Sequence, residues 1–355
     1  MAGKNPEPAG AANGASGRTG SVRAVLDVRR LEPGEVPVVG SERRQQYEVE
    51  LSAGSTVLEA LMYVHEHVDG TLAFRRSCRH GICGACAMRI DGCARLACNT
   101  QLADVAEHAR LRDEKRGRSV EGAPAVRIEP LTNMPVLKDL IVDMSVFWQK
   151  LSAVQPWLQT LAEADPDHER LVSPDDHTVM AEALLCVECG ACYSDCPAVT
   201  ASPEFIGPTA LAKAYRYAYD PRDDRAHRRL YDLGSEHGQW ECTRCYTCTQ
   251  RCPKHLKVRQ LISRLGELAC YEGLRADPAV RRADSFADSI TATGLLDERR
   301  LPFATEGAAA VKHAPEMVRA LRSGKTGLSQ RAPIDDLDLV RRVLDRLGQE
   351  TEGPA

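Results

Sequence analysis

The sequence is poor in aromatic residues, at 5% of the chain, and its apolar runs fall far short of the roughly 18–20 residues that cross a bilayer. No segment is expected to span a membrane. Neither sign of charge dominates: 46 Lys and Arg stand against 50 Asp and Glu, a net charge of −4. That balance, without long runs of one sign, argues against a dedicated nucleic-acid surface. The start of the chain lacks the apolar core and cleavage pattern of a secretory signal. Met1 to about Gly20 is rich in Gly, Ala, Asn, Ser and Pro. It reads as a disordered tail, because so few apolar groups cannot offset the entropy of ordering it. No Gly-rich dinucleotide motif follows a strand, no nucleophile–base pair is marked, and no flavin signature occurs, so no substrate site is expected on this chain. These absences point to a cytoplasmic protein, a compartment in which thiols stay reduced.

Against that background the chain carries fourteen cysteines. In a reducing compartment such a number points to metal or redox work rather than to disulfides. The length of 355 residues suggests two domains, and the 43% hydrophobic content lets each bury a core. Residues 1–20 form the tail, 21–132 a first domain, 133–272 a second and 273–355 a C-terminal helical extension. Ser21–Arg30 and Gln46–Leu51 alternate apolar and polar residues, as half-buried strands do. Ser55–His67 has Ser and Thr at its head and Leu58, Leu61, Met62 and His65 at helical spacing. Ala87–Ile90 and Ala94–Ala97 read as a hairpin around Asp91–Gly92, and Val126–Glu129 closes the sheet. This first region is expected to hold one short helix. From about Lys138 strand signals largely vanish. Helices are expected over Asp143–Leu151, His177–Ala183, Thr209–Tyr219, Arg225–Gly234, Lys257–Glu272 and Leu337–Leu347, with short helical pieces and turns over Gly273–Ser329. The fold class is α+β, a small ferredoxin-like domain followed by a helical one.

Twelve cysteines fall into three constellations. Cys78, Cys83, Cys86 and Cys98 have the spacing C-x4-C-x2-C followed by a more distant Cys, the plant-type [2Fe–2S] pattern. Gly81 and Gly84 lie inside that loop, where backbone freedom lets N–H groups face the sulfurs. Cys186, Cys189, Cys192 and Cys196 precede Pro197, and Cys242, Cys245, Cys248 and Cys252 precede Pro253. Each run is C-x2-C-x2-C-x3-C-P, the pattern of two-cluster bacterial ferredoxins, in which the fourth Cys ligates the other cluster. One [4Fe–4S] is therefore assigned to Cys186, Cys189, Cys192 and Cys252. The second takes Cys196, Cys242, Cys245 and Cys248, or becomes [3Fe–4S] without Cys245. Structural zinc sites space their cysteine pairs more widely. Cys93 and Cys270 read as small packing residues. His80, His237 and His255 read as solvated loop positions.

This arrangement resembles the iron–sulfur subunit of succinate dehydrogenases and fumarate reductases over about Val22 to Leu268. Asn133–Leu158 looks like that family's connection between domains, and Glu204–Asp224 like the helix after its first cubane run. The resemblance implies a β-grasp [2Fe–2S] domain followed by a bacterial-ferredoxin-like helical domain. It implies a non-catalytic electron-transfer subunit, with the dicarboxylate site on a FAD-containing flavoprotein partner. It also implies a membrane-anchor or membrane-associated acceptor subunit that passes electrons to quinone, and a peripheral position on the cytoplasmic face of the cell membrane. An iron–sulfur subunit of another flavoprotein oxidoreductase, acting on a 2-hydroxy acid or a heterodisulfide, is the alternative; those relatives usually lack the [2Fe–2S] domain. Three departures stand out. Cys245 occupies the position at which the family usually carries an aliphatic residue and a [3Fe–4S] cluster. Thr243 and Ala201 replace the usual histidine and tryptophan of its quinone pocket. Val280–Leu347 looks somewhat like the tail of the small iron–sulfur subunit of heterodisulfide reductases, which suggests the subclass whose partners are related to that system.

Overall fold

The computed structural model describes residues 20–33, 43–117, 122–161, 167–234, 237–324 and 332–351. The expected tail over 1–20 lies almost entirely outside them, as does most of the link between Ser323 and Pro333. Two compact units are present. One comprises the described residues of Met1–Arg229 and His237–Leu265, the other those of Leu230–Glu236 and Gly266–Ala355.

The first unit begins with β1 (Ser21–Arg29) and β2 (Arg44–Ser52), an antiparallel pair in which Val25 faces Glu48. Helix α1 (Val57–His67) follows, started by a capping box in which Thr56 and Glu59 satisfy each other's backbone N–H groups. Strands β3 (Ala87–Ile90) and β4 (Cys93–Leu96) form the hairpin expected around Asp91–Gly92. Helix α2 (Leu102–Lys115) leads to β5 (Ala125–Glu129), which runs parallel to β1 and antiparallel to β3. The sheet order is β2-β1-β5-β3-β4. Ala24, Leu26 and Val28 alternate onto the face that meets Leu58, Leu61 and Val64 of α1 and Leu102, Val105 and Ala109 of α2. Each fully buried leucine contributes about 1.5–3 kcal/mol. Helix α2 is a second helix where one was expected.

A short ladder of β6 (Val136–Lys138) and β7 (Ile141–Val142) carries the chain onward. This connection is tied back by Arg30, which is 3% exposed. Its guanidinium donates to Asp139 at 2.9 Å, Asp69 at 2.7 Å and Thr71 at 2.9 Å. Asp139 also accepts from the N–H groups of Leu31 and Ala73. The buried charge is thus paired and hydrogen-bonded on all sides, the condition under which it is tolerated.

The rest of the first unit is helical: α3 (Ser145–Ala153), α4 (Pro174–Leu184), α5 (Ala191–Ser194), α6 (Pro197–Ala201) and α7 (Pro208–Ala218). Then come α8 (Ala226–Leu233), α9 (Thr247–Arg251) and α10 (Val258–Tyr271), of which α8 and α10 end in the second unit. The second unit adds α11 (Pro278–Thr293), α12 (Leu301–Glu306), α13 (Ala314–Arg322) and α14 (Leu337–Thr351). Helix α11 packs against α12 and α14. It is a regular helix of 16 residues, longer than the short pieces expected there. It is started by Asp277 accepting from the Ala279 N–H, and stopped by Gly294 in the left-handed region.

Candidate iron–sulfur sites

The loop over 78–86 wraps its own sulfurs with backbone donors. Cys78 Sγ accepts from the N–H groups of His80 at 3.4 Å, Cys83 at 3.3 Å and Ile82 at 3.4 Å. Those donors bring its thiol down to about 6. Gly81, at φ +68°, turns its N–H onto Cys98 Sγ at 3.2 Å, the role expected for it. Cys98, just past β4, donates its own N–H to Cys86 Sγ at 3.4 Å. Cys86, just before β3, is pushed up to about 12 by burial, with Cys98 and Cys83 adding charge nearby. The hairpin therefore brings Cys98 back to Cys78, Cys83 and Cys86. Cys93 sits in β4 opposite Ile90 and makes no part of that group.

The two later runs share one backbone conformation. In the first, Glu188 (φ 54°) and Gly190 (φ 78°) are left-handed; in the second, the matching Arg244 (φ 55°) and Tyr246 (φ 65°) are. Each non-glycine residue there costs about 1–3 kcal/mol, a strain that persists only where the surroundings impose it. The hydrogen bonds match as well. Cys186 and Cys242 each accept from the N–H two residues on, Glu188 and Arg244, and Cys189 and Cys245 accept likewise from Ala191 and Thr247. Successive N–H groups in alternating turns form an anion-binding concavity. Cys245 therefore stands in the second run as Cys189 stands in the first.

Electrostatic effects link the thiols mostly within two groups. The charge of Cys252 bears on Cys186 and Cys189, while those two bear most on Cys192, with Cys248 of the other run adding to it. Cys242 and Cys245 bear on Cys196, and Cys242, Cys196 and Cys245 bear on Cys248. Burial pushes Cys189 up to about 11, Cys248 up to about 12 and Cys192 well above the usual thiol value. Cys192 also lies 3.1 Å from Thr209 Oγ1. Cys245 differs: burial pushes it up, but donors from Thr247 and Thr243 outweigh this and lower it, and the residue is exposed. Cys196, Cys242, Cys245 and Cys248 line a cavity closed by Phe205, Arg259 and Ile262. Each set offers four thiols, soft donors of the kind iron–sulfur clusters take, so the donor sets fit the groups.

The two kinds of loop meet. Gly84, at φ +74°, lies where an added Cβ would fall 2.8 Å from Cys189 Cβ. Asn133 Nδ2 donates to the carbonyls of Tyr193 at 3.1 Å, Ser194 at 2.9 Å and Cys196 at 3.3 Å, so the connection grips the first run directly. Lys150 donates to Phe205 O at 2.7 Å and lies 5.2 Å from the Tyr193 ring, holding the turn beside the cavity. His80 and His255 are exposed, as expected. His237 is not simply solvated, since it pairs with Glu241 at 2.8 Å, and Glu241 accepts from Ser202 at 2.9 Å. Thr243 is exposed on the cavity, and Ala201 ends α6. Asn133 and Asp195 carry contacts that no cysteine spacing reveals.

Fold and thiols together define an iron–sulfur protein with a ferredoxin-type sheet domain and a two-cluster helical region. A domain family described as "2Fe-2S iron-sulfur cluster binding domain" matches residues 26–149, and one described as "4Fe-4S dicluster domain" matches 182–256. The chain is 37% identical over 254 residues to the fumarate reductase iron-sulfur subunit of Mycobacterium tuberculosis, covering 71% of this chain and 95% of that one. It is 33% identical to the subunit of the same name from Escherichia coli O6:H1, over 59% of this chain and 79% of that one. A chain of the Mycobacterium smegmatis Sdh1 complex in the apo form superposes with a TM-score of 0.59 at 26% identity, over 71% of this chain and 97% of that one. The chain belongs to the family of fumarate reductase and succinate dehydrogenase iron–sulfur subunits. Its cofactors are one [2Fe–2S] cluster and two cubane-type clusters.

Proposed function

We propose that this chain relays electrons between a FAD-containing flavoprotein, which carries the dicarboxylate site, and a membrane-associated acceptor that reduces quinone. Bound clusters supply one-electron redox chemistry that no side chain here offers. Cys78, Cys83, Cys86 and Cys98 hold the [2Fe–2S]. Cys186, Cys189, Cys192 and Cys252 hold one [4Fe–4S], and Cys196, Cys242, Cys245 and Cys248 the other. The observation that carries the reading is that all twelve thiols lie in one compact unit, with the first loop touching the second at Gly84 and Cys189.

The protein's own contribution is placement and charge. Backbone N–H groups facing Cys78 and Cys98 favour the more negative forms of their site. The matching left-handed pairs at Glu188 and Gly190 and at Arg244 and Tyr246 support a four-iron cluster in the third position, since Cys245 repeats the setting of Cys189. The exposed loop of Thr243, Arg244, Cys245 and Tyr246 suits a partner that receives electrons there. Because the family's usual histidine and tryptophan are Thr243 and Ala201 here, that partner supplies the quinone pocket. The domain of β1–β5 faces the flavoprotein.

Co-purification tests this. The expected partner binds FAD and oxidises succinate or reduces fumarate. A flavoprotein that instead oxidises a 2-hydroxy acid or reduces a heterodisulfide would overturn the assignment.

A further inference from the structure

Asp195 lies inside the first cubane run, between Ser194 and Cys196, and its side chain is 6% exposed. One carboxylate there gathers donors from three parts of the fold. Oδ2 accepts the N–H of Ala94 in β4 at 3.0 Å and the Nε of Arg251 in α9 at 2.6 Å. Oδ1 pairs with Arg89 of β3 at 3.3 Å. The hairpin of β3 and β4 stands between Cys86 and Cys98, and Arg251 stands between Cys248 and Cys252. Every cysteine run is therefore tied to the same two oxygens. A buried carboxylate held by a backbone N–H and paired with two guanidiniums is a rigid joint, because movement of any partner would leave a buried polar or charged group unsatisfied.

We infer that Asp195 is the positioning residue of the relay: it fixes the three cluster-bearing loops against one another and sets the charge that the two cubane sites experience. This rests on the ligand assignment proposed above. Among the described residues no hydrogen bond runs directly from the hairpin to α9, so beside the packing of β4 on α9 the polar joint between them is made through this side chain. Its charge matters too. Adding an electron to a cluster is favoured by positive surroundings. Asp195 offsets Arg89 and Arg251, so it holds the neighbouring potentials down.

The test uses the purified full-length chain carrying its clusters. Iron content and electron paramagnetic resonance of the wild type come first; absence of one [2Fe–2S] and two cubane clusters would overturn the ligand assignment and the inference with it. With the wild type loaded, Asp195→Asn should keep its iron. The reduced-to-oxidised ratio of the cubane clusters at fixed ambient potential should rise about tenfold, ~59 mV for a one-electron couple. The magnetic broadening between the [2Fe–2S] and cubane signals should change. Retained iron with wild-type potentials and wild-type broadening would overturn the inference. If Asp195→Asn does not assemble, Arg251→Gln decides, because the Ala94 and Arg89 contacts survive in it. It should lower the cubane potentials, and Arg251→Lys should restore them. Unchanged potentials in Arg251→Gln would overturn the inference equally.

Discussion

Gly84 stands against Cys189 so closely that a Cβ on the glycine would lie 2.8 Å from the cysteine's Cβ and 2.9 Å from its Cα. Neither atom is the end of a flexible side chain. The contact sets the [2Fe–2S] loop directly against the first cubane run. It also explains the glycine twice over, by space and by its φ of +74°. Gly84→Ala should destabilise the chain by about 1–3 kcal/mol and weaken magnetic coupling between the two sites. Denaturant midpoints and the relaxation of the [2Fe–2S] signal measure both.

Asn133 is left-handed at φ 61° and points its amide at three carbonyls of the first run. Asn133→Ala should cost about 1–3 kcal/mol through the carbonyls left unpaired. Asn133→Asp should cost more, since a carboxylate would face the same oxygens. Urea unfolding of the two variants against wild type checks the order.

Asp220 is fully buried, paired with Arg216 at 2.5 Å and Arg222 at 2.8 Å. Burial pushes its carboxyl up, but the two guanidiniums outweigh this and hold it well below the usual carboxylate range. A depressed value means that its stabilisation is complete above the unfolded-chain pKa of about 3.9 and is lost as pH falls through the lower folded value. Stability should therefore drop below about pH 4, and the drop should be shallower in Asp220→Asn. That variant should lose about 3 kcal/mol at neutral pH. Urea midpoints between neutral pH and pH 3 distinguish the two curves.

The two matching corners differ in access. Cys189 is half-buried among protein groups, whereas Cys245 is exposed. A one-electron oxidant such as ferricyanide should therefore release one iron(II) at Cys245 first, leaving a three-iron cluster there while the first cubane stays intact. Timed iron release with resonance spectra checks this; simultaneous loss from both would contradict it.

The cysteine groups were legible in the sequence because each run carries its own geometry within a dozen residues. Strands β1, β2, β3 and β5 and helix α1 were legible through alternation and caps. Helix α2 leaves a weaker signal, although Leu102, Val105, Ala106 and Ala109 have helical spacing. It has no side-chain cap at Gln101, and charged residues fill most of its remaining positions. The ladder of β6 and β7 is too short to leave a periodic pattern. Asp195 was invisible for another reason. Its partners Ala94 and Arg251 lie 101 and 56 residues away, so only the folded chain brings them to one carboxylate.

The proposed relay comprises one [2Fe–2S] and two [4Fe–4S] clusters, completed by Cys245. A redox titration of the intact complex followed by electron paramagnetic resonance tests it most directly. One [2Fe–2S] and two [4Fe–4S] signals are expected on reduction, with about ten irons per chain. A strong [3Fe–4S] signal in anaerobically prepared, oxidised protein, unchanged by Cys245→Ile, would contradict it.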